Sequence, residues 1–261
     1  MTSFPSPVGP LTYENRIVYS DFITGLDEWG WIYSTSPTPA IMTVSNTSVD
    51  ALGVVTIGCL AASTVAYGRS GIYLAQTAAS QINRNYVSVN SPIKKRNVFQ
   101  CRVKSNTTSL GAEVVQYCGM GLVHQGKTLY DGKIARFDKG IGFHNRGDEP
   151  FWVCAIWWAG APLFELTPTI PKSNWNTLRL EWTWLNETRS RVQVDFFINH
   201  SVVASTTIEA PEDFATMMHS VETRDKTGAS AASSGSGRTD QTIDIDYMYA
   251  EIPSYRDAAR P

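Results

Sequence analysis

The chain has 261 residues and a formal net charge of -2, with 18% charged, 43% hydrophobic and 11% aromatic residues. That length suits one large all-β domain, and the hydrophobic share fills a substantial core, which rules against a disordered chain. The near-neutral charge supplies no field to gather phosphates and no apolar run is long enough to span a bilayer, so neither nucleic acid nor membrane is an expected partner.

The opening MTSFPSPVGPLTYEN has no charged region followed by an apolar one, so no signal peptide is expected and synthesis in a reducing cytoplasm without export is. Residues 1–16 carry Pro5, Pro7, Gly9 and Pro10 and predict an extended N-terminal arm laid over its own domain or a neighbour. A single domain is expected over 17–252 and a polar tail over 253–261. Ile17–Phe22, Ala40–Val44 and Gly53–Cys59 are the first strand candidates. Leu74–Ile82, with its Ala and Gln, allows a helix. Phe99, Cys101 and Val103 alternate with Gln100, Arg102 and Lys104, as a strand with one buried face does. Glu113–Val123 is a longer strand in which Gly119 and Gly121 mark a bulge or a close backbone approach. Ile134–Arg136 and Gly140–His144 are short strands, and Asn145–Pro150 reads as a tight polar loop. Trp152–Trp158, apolar on both sides, fits a central strand, and Leu163–Leu166 continues after Gly160 and Pro162.

The clearest pattern is NTLRLEWTWLNETRSRVQVDFFINHSVV, residues 176–203. Leu178, Leu180, Trp182 and Trp184 share one face of a first strand, and Val192, Val194, Phe196 and Ile198 one face of a second. The polar break 186–190 between them makes a hairpin whose oily face must be covered. Glu209–His219, opened by Pro211, suggests one or two helical turns, and Asp225–Thr242 a long exposed loop. Ile243, Ile245 and Tyr247 then form the inward face of a closing strand. Many short strands, few helices and inward aromatics predict an all-β fold: two antiparallel sheets packed as a β-sandwich.

Cys59, Cys101, Cys118 and Cys154 lie far apart with no CxxC pair, which favours buried free thiols over disulfides. With 4 His and no ligand-spaced partners, no metal and no cofactor are expected.

The hairpin, with Trp175, Leu178, Leu180 and Trp182 in one strand and Val192 to Val203 in the next, resembles the concanavalin A-like lectin and laminarinase-like glucanase jelly rolls. Ile243, Ile245, Asp246, Tyr247 and Tyr249 are similar to the closing strand of that superfamily, and Asp21–Trp31 to its opening. The resemblance covers about half of the chain and implies a jelly roll. Its hydrolases carry a Glu-x-Asp-x-x-Glu or Glu-x-Asp-x-Glu strand, because retaining chemistry needs two carboxyls about 5 Å apart. This sequence has no such run: Glu181 and Glu113 stand alone, Glu181 reads as an outward residue, and Asp244 and Asp246 read as an outer face or a salt bridge to arginine. No catalytic residue is assigned, and the clustered calcium-binding acids of legume-type lectins are missing too.

The binding candidates are Trp152, Trp157 and Trp158, which would stack on a ligand if one strand face is open and otherwise pack the core. Arg146 and Asp148 belong to an Arg-Gly-Asp tripeptide that reads first as a turn. The sequons at Asn46, Asn106, Asn186 and Asn199 carry little weight without export. A near-neutral, Ser/Thr/Gly-rich sandwich with polar arms and no catalytic strand looks similar to bacteriophage virion proteins. The expectation is a non-enzymatic virion structural protein, a capsid decoration or cement protein or a tail component. It would act as a homo-oligomer through contacts with other virion proteins. The alternative is a lectin-like module binding a cell-surface glycan, and a polysaccharide hydrolase is the third reading.

Overall fold

A computed structural model describes residues 13–22, 31–32, 40–45, 53–59, 69–73, 92–106, 114–121, 139–146, 149–158, 161–210, 218–225 and 241–255. These form β1 (Tyr13–Ser20), β2 (Trp31–Ile32), β3 (Ala40–Ser45), β4 (Val54–Cys59), β5 (Arg69–Tyr73), β6 (Arg96–Ser105), β7 (Val114–Gly121) and β8 (Lys139–Arg146). Then come β9 (Val153–Trp158), β10 (Ala161–Leu166), β11 (Asn176–Trp184), β12 (Arg191–Ile198), β13 (Ser201–Glu209), β14 (Met218–Asp225) and β15 (Gln241–Tyr255). The described residues contain no helix.

Every strand pairing among the described residues is antiparallel. One sheet has eight strands in the order β13-β12-β11-β6-β15-β4-β3, with β1 also on β15; the other has seven, β10-β9-β8-β7-β14-β5-β2. The closing strand is long enough to hold β4 on Gln241–Ile245 and β1 on Met248–Tyr255 along the same side. Tyr13–Arg16, read above as arm, and Pro253–Tyr255, read as tail, are therefore the terminal rungs of one ladder.

The organising hairpin lies as its alternation requires. Leu178, Leu180, Trp182, Trp184, Val192, Val194, Phe196 and Ile198 are all buried between the sheets. Phe196 meets Phe143 of the facing sheet edge to face at 5.5 Å and stacks on Phe164 at 5.8 Å, geometries that suit the aromatic quadrupole. The turn after β11 is tied by Asn186, whose Oδ1 accepts the backbone N–H of Ser190 and Arg191. The next turn has two residues, Asn199 and His200, both at positive φ (50° and 69°), as a primed hairpin turn demands. Asn199 Oδ1 accepts the N–H of Thr177 at 3.0 Å.

One end of the sandwich is closed by polar side chains. Lys172 Nζ donates to Asn145 Oδ1 at 3.2 Å, Asn145 Nδ2 to Gln116 Oε1 at 3.2 Å, and Gln116 Nε2 to the carbonyl of Thr242 at 2.8 Å. Gln116 and Asn145 belong to the seven-stranded sheet and Thr242 to the other, so this chain of amides joins the two layers. Buried polar groups are tolerated because they are partnered.

Three expectations change. Tyr247 is half-buried and lies outside the core, because a bulge between Ile245 and Tyr247 shifts the register of β15 on β6 by one residue. Ile243 and Ile245 face inward as predicted; beyond the bulge the inward residues are Met248, Ala250 and Ile252. Asn145 and Arg146 are strand residues of β8, paired with Gln116 and Val115. Glu209 ends β13, and Met218 and His219 open β14, where a helical turn was expected. The stretches 74–82 and 134–136 lie outside the described residues.

Cys101, Cys118 and Cys154 are buried free thiols. Burial pushes the Cys154 thiol from its ordinary value near 9 up to about 12. Its folded form thus keeps a proton that the unfolded chain releases, and stability falls as pH rises from about 9 towards about 12. Native protein at pH 8 should leave Cys154 unlabelled by iodoacetamide while urea-unfolded protein labels it, read by peptide mass spectrometry. Rapid native labelling would contradict this burial.

Candidate functional site

A sandwich offers two outer sheet faces. On the seven-stranded sheet, Tyr117, His144 and Val153 form one rung of the outer face and Gly119, Gly142 and Ala155 the next. All three side chains of the first rung are buried. The Tyr117 hydroxyl donates to the backbone carbonyls of Ile141, at 2.9 Å, and Met120, which brings it over the glycine pair. At Gly119 a Cβ would stand 3.0 Å from that hydroxyl and 2.6 Å from Gly142 Cα. The glycines therefore mark a close backbone approach, one of the two readings given above. Trp157 follows on the same face, 2% exposed and edge-on to His144 at 5.8 Å.

Two of the three tryptophan candidates have described side chains. Trp152 is a core residue with no exposure, and its indole N–H meets no acceptor among the described residues. Trp157 is buried on the opposite face. Neither presents an accessible ring to a ligand. Trp158 pairs by backbone with Lys139 and Ala161. Arg146 closes β8, and Asp148 lies outside the described residues.

The outer face of the eight-stranded sheet is different. Two adjacent rungs cross six strands. One reads Tyr19, Tyr249, Gln100, Arg179, Phe197, Val202; the other reads Ile17, Glu251, Val98, Glu181, Asp195, Ser205. Beside them Tyr247 pairs with Arg102. At the two ends, Ile17 (58%), Tyr19 (56%) and Val202 (60%) are exposed. Tyr19 and Tyr247 lie 6.1 Å apart as tilted rings, and Gln100 Nε2 donates to the Tyr247 hydroxyl at 2.7 Å. Arg179 stands over the Phe197 ring at 5.6 Å and Arg102 over Trp175 at 4.9 Å, both within cation–π range. Burial first, then the nearby Asp21 and Asp246, raise the Tyr19 phenol above its ordinary value. Burial and Glu251 raise Tyr249, whose hydroxyl donates to that carboxylate at 3.1 Å.

The acids of this sheet are tied into the surface. Glu181 points outward as predicted but is buried beneath two arginines, in ion pairs with Arg179 and with Arg96 at 3.4 Å. Asp246 pairs with Arg102 at 2.6 Å. Asp244 accepts from Thr56 at 2.6 Å and Asn106 at 2.7 Å, and Asp195 from Gln193 and Ser205. No group of three or more His, Cys, Asp or Glu that could hold a metal ion occurs among the described residues.

Sequence reasoning missed Tyr19, Tyr249 and Arg179 as members of one belt, since they come from three strands distant in sequence. The bulge left a signal: the apolar positions of β15 change parity between Ile243/Ile245 and Met248/Ala250/Ile252.

No family model matches the chain, and no curated protein matches its sequence. Solved structures do match in fold. Peanut lectin shares 9% identity at a TM-score of 0.51, covering 93% of this chain and all of the lectin chain. The endo-1,3-beta-glucanase of Streptomyces sioyaensis shares 11% at 0.49, over 97% and 100% of the two chains. The carbohydrate recognition domain of Emp46p shares 11% at 0.48, over 88% and 91%. The chain shares with peanut lectin the fold of two antiparallel sheets packed as a β-sandwich.

Proposed function

We propose that the chain is a non-enzymatic virion structural protein, a capsid decoration or cement protein or a tail component, made in the host cytoplasm and carried in the particle. It works by protein–protein contact. The observation that carries this reading is the belt of Tyr19, Tyr247, Tyr249, Arg179 and Phe197 across the eight-stranded sheet, ending at exposed Ile17 and Val202. Aromatic residues and arginine are the types enriched in protein interfaces, and paired charges between them confer register on a partner. The acids give no support to hydrolysis: each strand carboxylate named above is held by an arginine, amide or hydroxyl rather than by a second carboxylate.

The expected result is that mass spectrometry finds the chain in purified particles and immunogold labelling decorates them. A chain confined to the soluble lysate would overturn the proposal. A second reading, glycan binding, draws on the tilted Tyr19–Tyr247 pair beside the amide of Gln100, and on the lectin fold shared with peanut lectin. Glycan-array binding lost on Tyr19→Ala would favour it; an array without hits would dismiss it.

Tyr19→Ala separates surface from core. With Tyr19 56% exposed, stability should change by less than about 1 kcal/mol in urea titration, while partner binding falls. A large loss of stability would mean that Tyr19 serves the fold instead.

A further inference from the structure

We propose that Lys172 and Asn145 condense to an isopeptide bond, a covalent strut at the polar end of the sandwich. The proposal is independent of what the outer face of the eight-stranded sheet binds.

Backbone bonds hold both residues in place. The N–H of Lys172 donates to the carbonyl of Pro150 at 3.0 Å, and the Lys172 carbonyl accepts the N–H of Ser105 at 3.0 Å. Ser105 ends β6 of the eight-stranded sheet, and Pro171, just before the lysine, is bridged to Phe151. Asn145 lies in β8 of the other sheet, opposite Gln116. The Lys172 side chain thus reaches from a backbone tied to one sheet to a strand of the other. There Nζ meets Oδ1 of Asn145 at 3.2 Å. Asn145 has no exposure and Lys172 is 4% exposed.

Lysine is seldom buried this deeply, because an ammonium group gives up its hydration there. Among the described side chains Lys172 is the one buried lysine. Condensation suits that place, since a secondary amide carries no charge. Removal from water also favours the neutral amine, the form with a lone pair to give.

The step balances without a co-reactant. The Nζ lone pair adds to Cγ of Asn145, and the C=O electron pair moves onto Oδ1. A proton passes from Nζ to Nδ2, the carbonyl re-forms, the Cγ–Nδ2 bond breaks and ammonia leaves. Amine plus carboxamide gives secondary amide plus ammonia, with nothing oxidised or reduced. Unactivated amides resist amines in solution, but well-oriented groups in one site react at an effective concentration of about 10⁵–10⁸ M. Asn145 Nδ2 donates to Gln116 Oε1 at 3.2 Å. The N–H of the new amide can take over that bond, so the chain of amides on to Thr242 is kept.

The test is the intact mass of the full chain together with its tryptic map. The folded protein should be lighter than its sequence by one ammonia. Trypsin should fail to cut after Lys172 and should release a branched peptide joining residues 140–146 to residues 147–179. Fragment ions should place the branch between Lys172 and Asn145. Lys172→Arg, which keeps a hydrogen-bond donor without the amine, and Asn145→Ala should each return the full sequence mass. The decisive reading is made on the parent chain, so a variant that folds poorly does not obscure it. A parent at full sequence mass, an ammonia deficit from a cyclised asparagine with no branch, a branch between other residues, or a deficit that persists in Asn145→Ala would each overturn the proposal.

Discussion

Trp182→Ala is expected to cost about 3–5 kcal/mol of folding stability, the range for truncating a buried large aromatic side chain. Trp182 is 1% exposed, sits edge-on to Trp184 at 5.7 Å and shares its rung with Val194 and Asn97. Removing the indole loses its transfer energy and leaves a void that neighbours on both sheets cannot close, because each is fixed in a strand ladder. Trp184 loses its aromatic partner at the same time. Urea unfolding should show a lower midpoint with an unchanged slope, and Trp182→Phe should recover part of the loss. An alanine variant within about 1 kcal/mol of the parent would show that the hairpin does not anchor the core.

Gly142→Ala should destabilise by about 1–3 kcal/mol, the usual cost of inserting a methyl into a packed site. The cause here is backbone. A Cβ at Gly142 would stand 2.4 Å from the carbonyl oxygen of Cys118 and 2.7 Å from Gly119 Cα, and neither can swing away as a flexible side chain would. β7 and β8 would have to spread, straining the bond from the Tyr117 hydroxyl to Ile141, whose carbonyl lies next to the substituted residue. Gly119→Ala meets the same obstacle, 2.3 Å from the Ile141 carbonyl oxygen. Thermal melting of both variants checks this, and a Gly142→Ala melt superposing on the parent would refute the close approach.

The fold was legible wherever one strand face is apolar and the other polar. β6, β11 and β12 show that alternation over eight to ten residues, and burial follows it almost residue by residue. β5 and β14 were illegible for a physical reason. Arg69–Tyr73 is too short to establish a period, and in Met218–Asp225 the buried pair Val221 and Thr223 is one apolar and one polar residue. The sequence left the tryptophans between packing and binding, because an apolar run of aromatics reads alike whether it packs two faces or offers one. Trp152 and Trp157 go to opposite faces and both are covered. The belt on the other sheet depends on a register shift at Asp246 and on neighbours about 150 residues apart in sequence, such as Gln100 and Tyr249, information that only strand pairing supplies.

In the proposed role the belt faces a protein neighbour in an assembled particle. Hydroxyl-radical footprinting of the isolated protein and of purified particles tests it most directly. Ile17, Tyr19 and Val202, each more than half exposed in the free chain, should be oxidised in isolation and protected in the particle, while exposed Leu163 and Leu185 serve as references. Equal oxidation of Ile17, Tyr19 and Val202 in both states would contradict it.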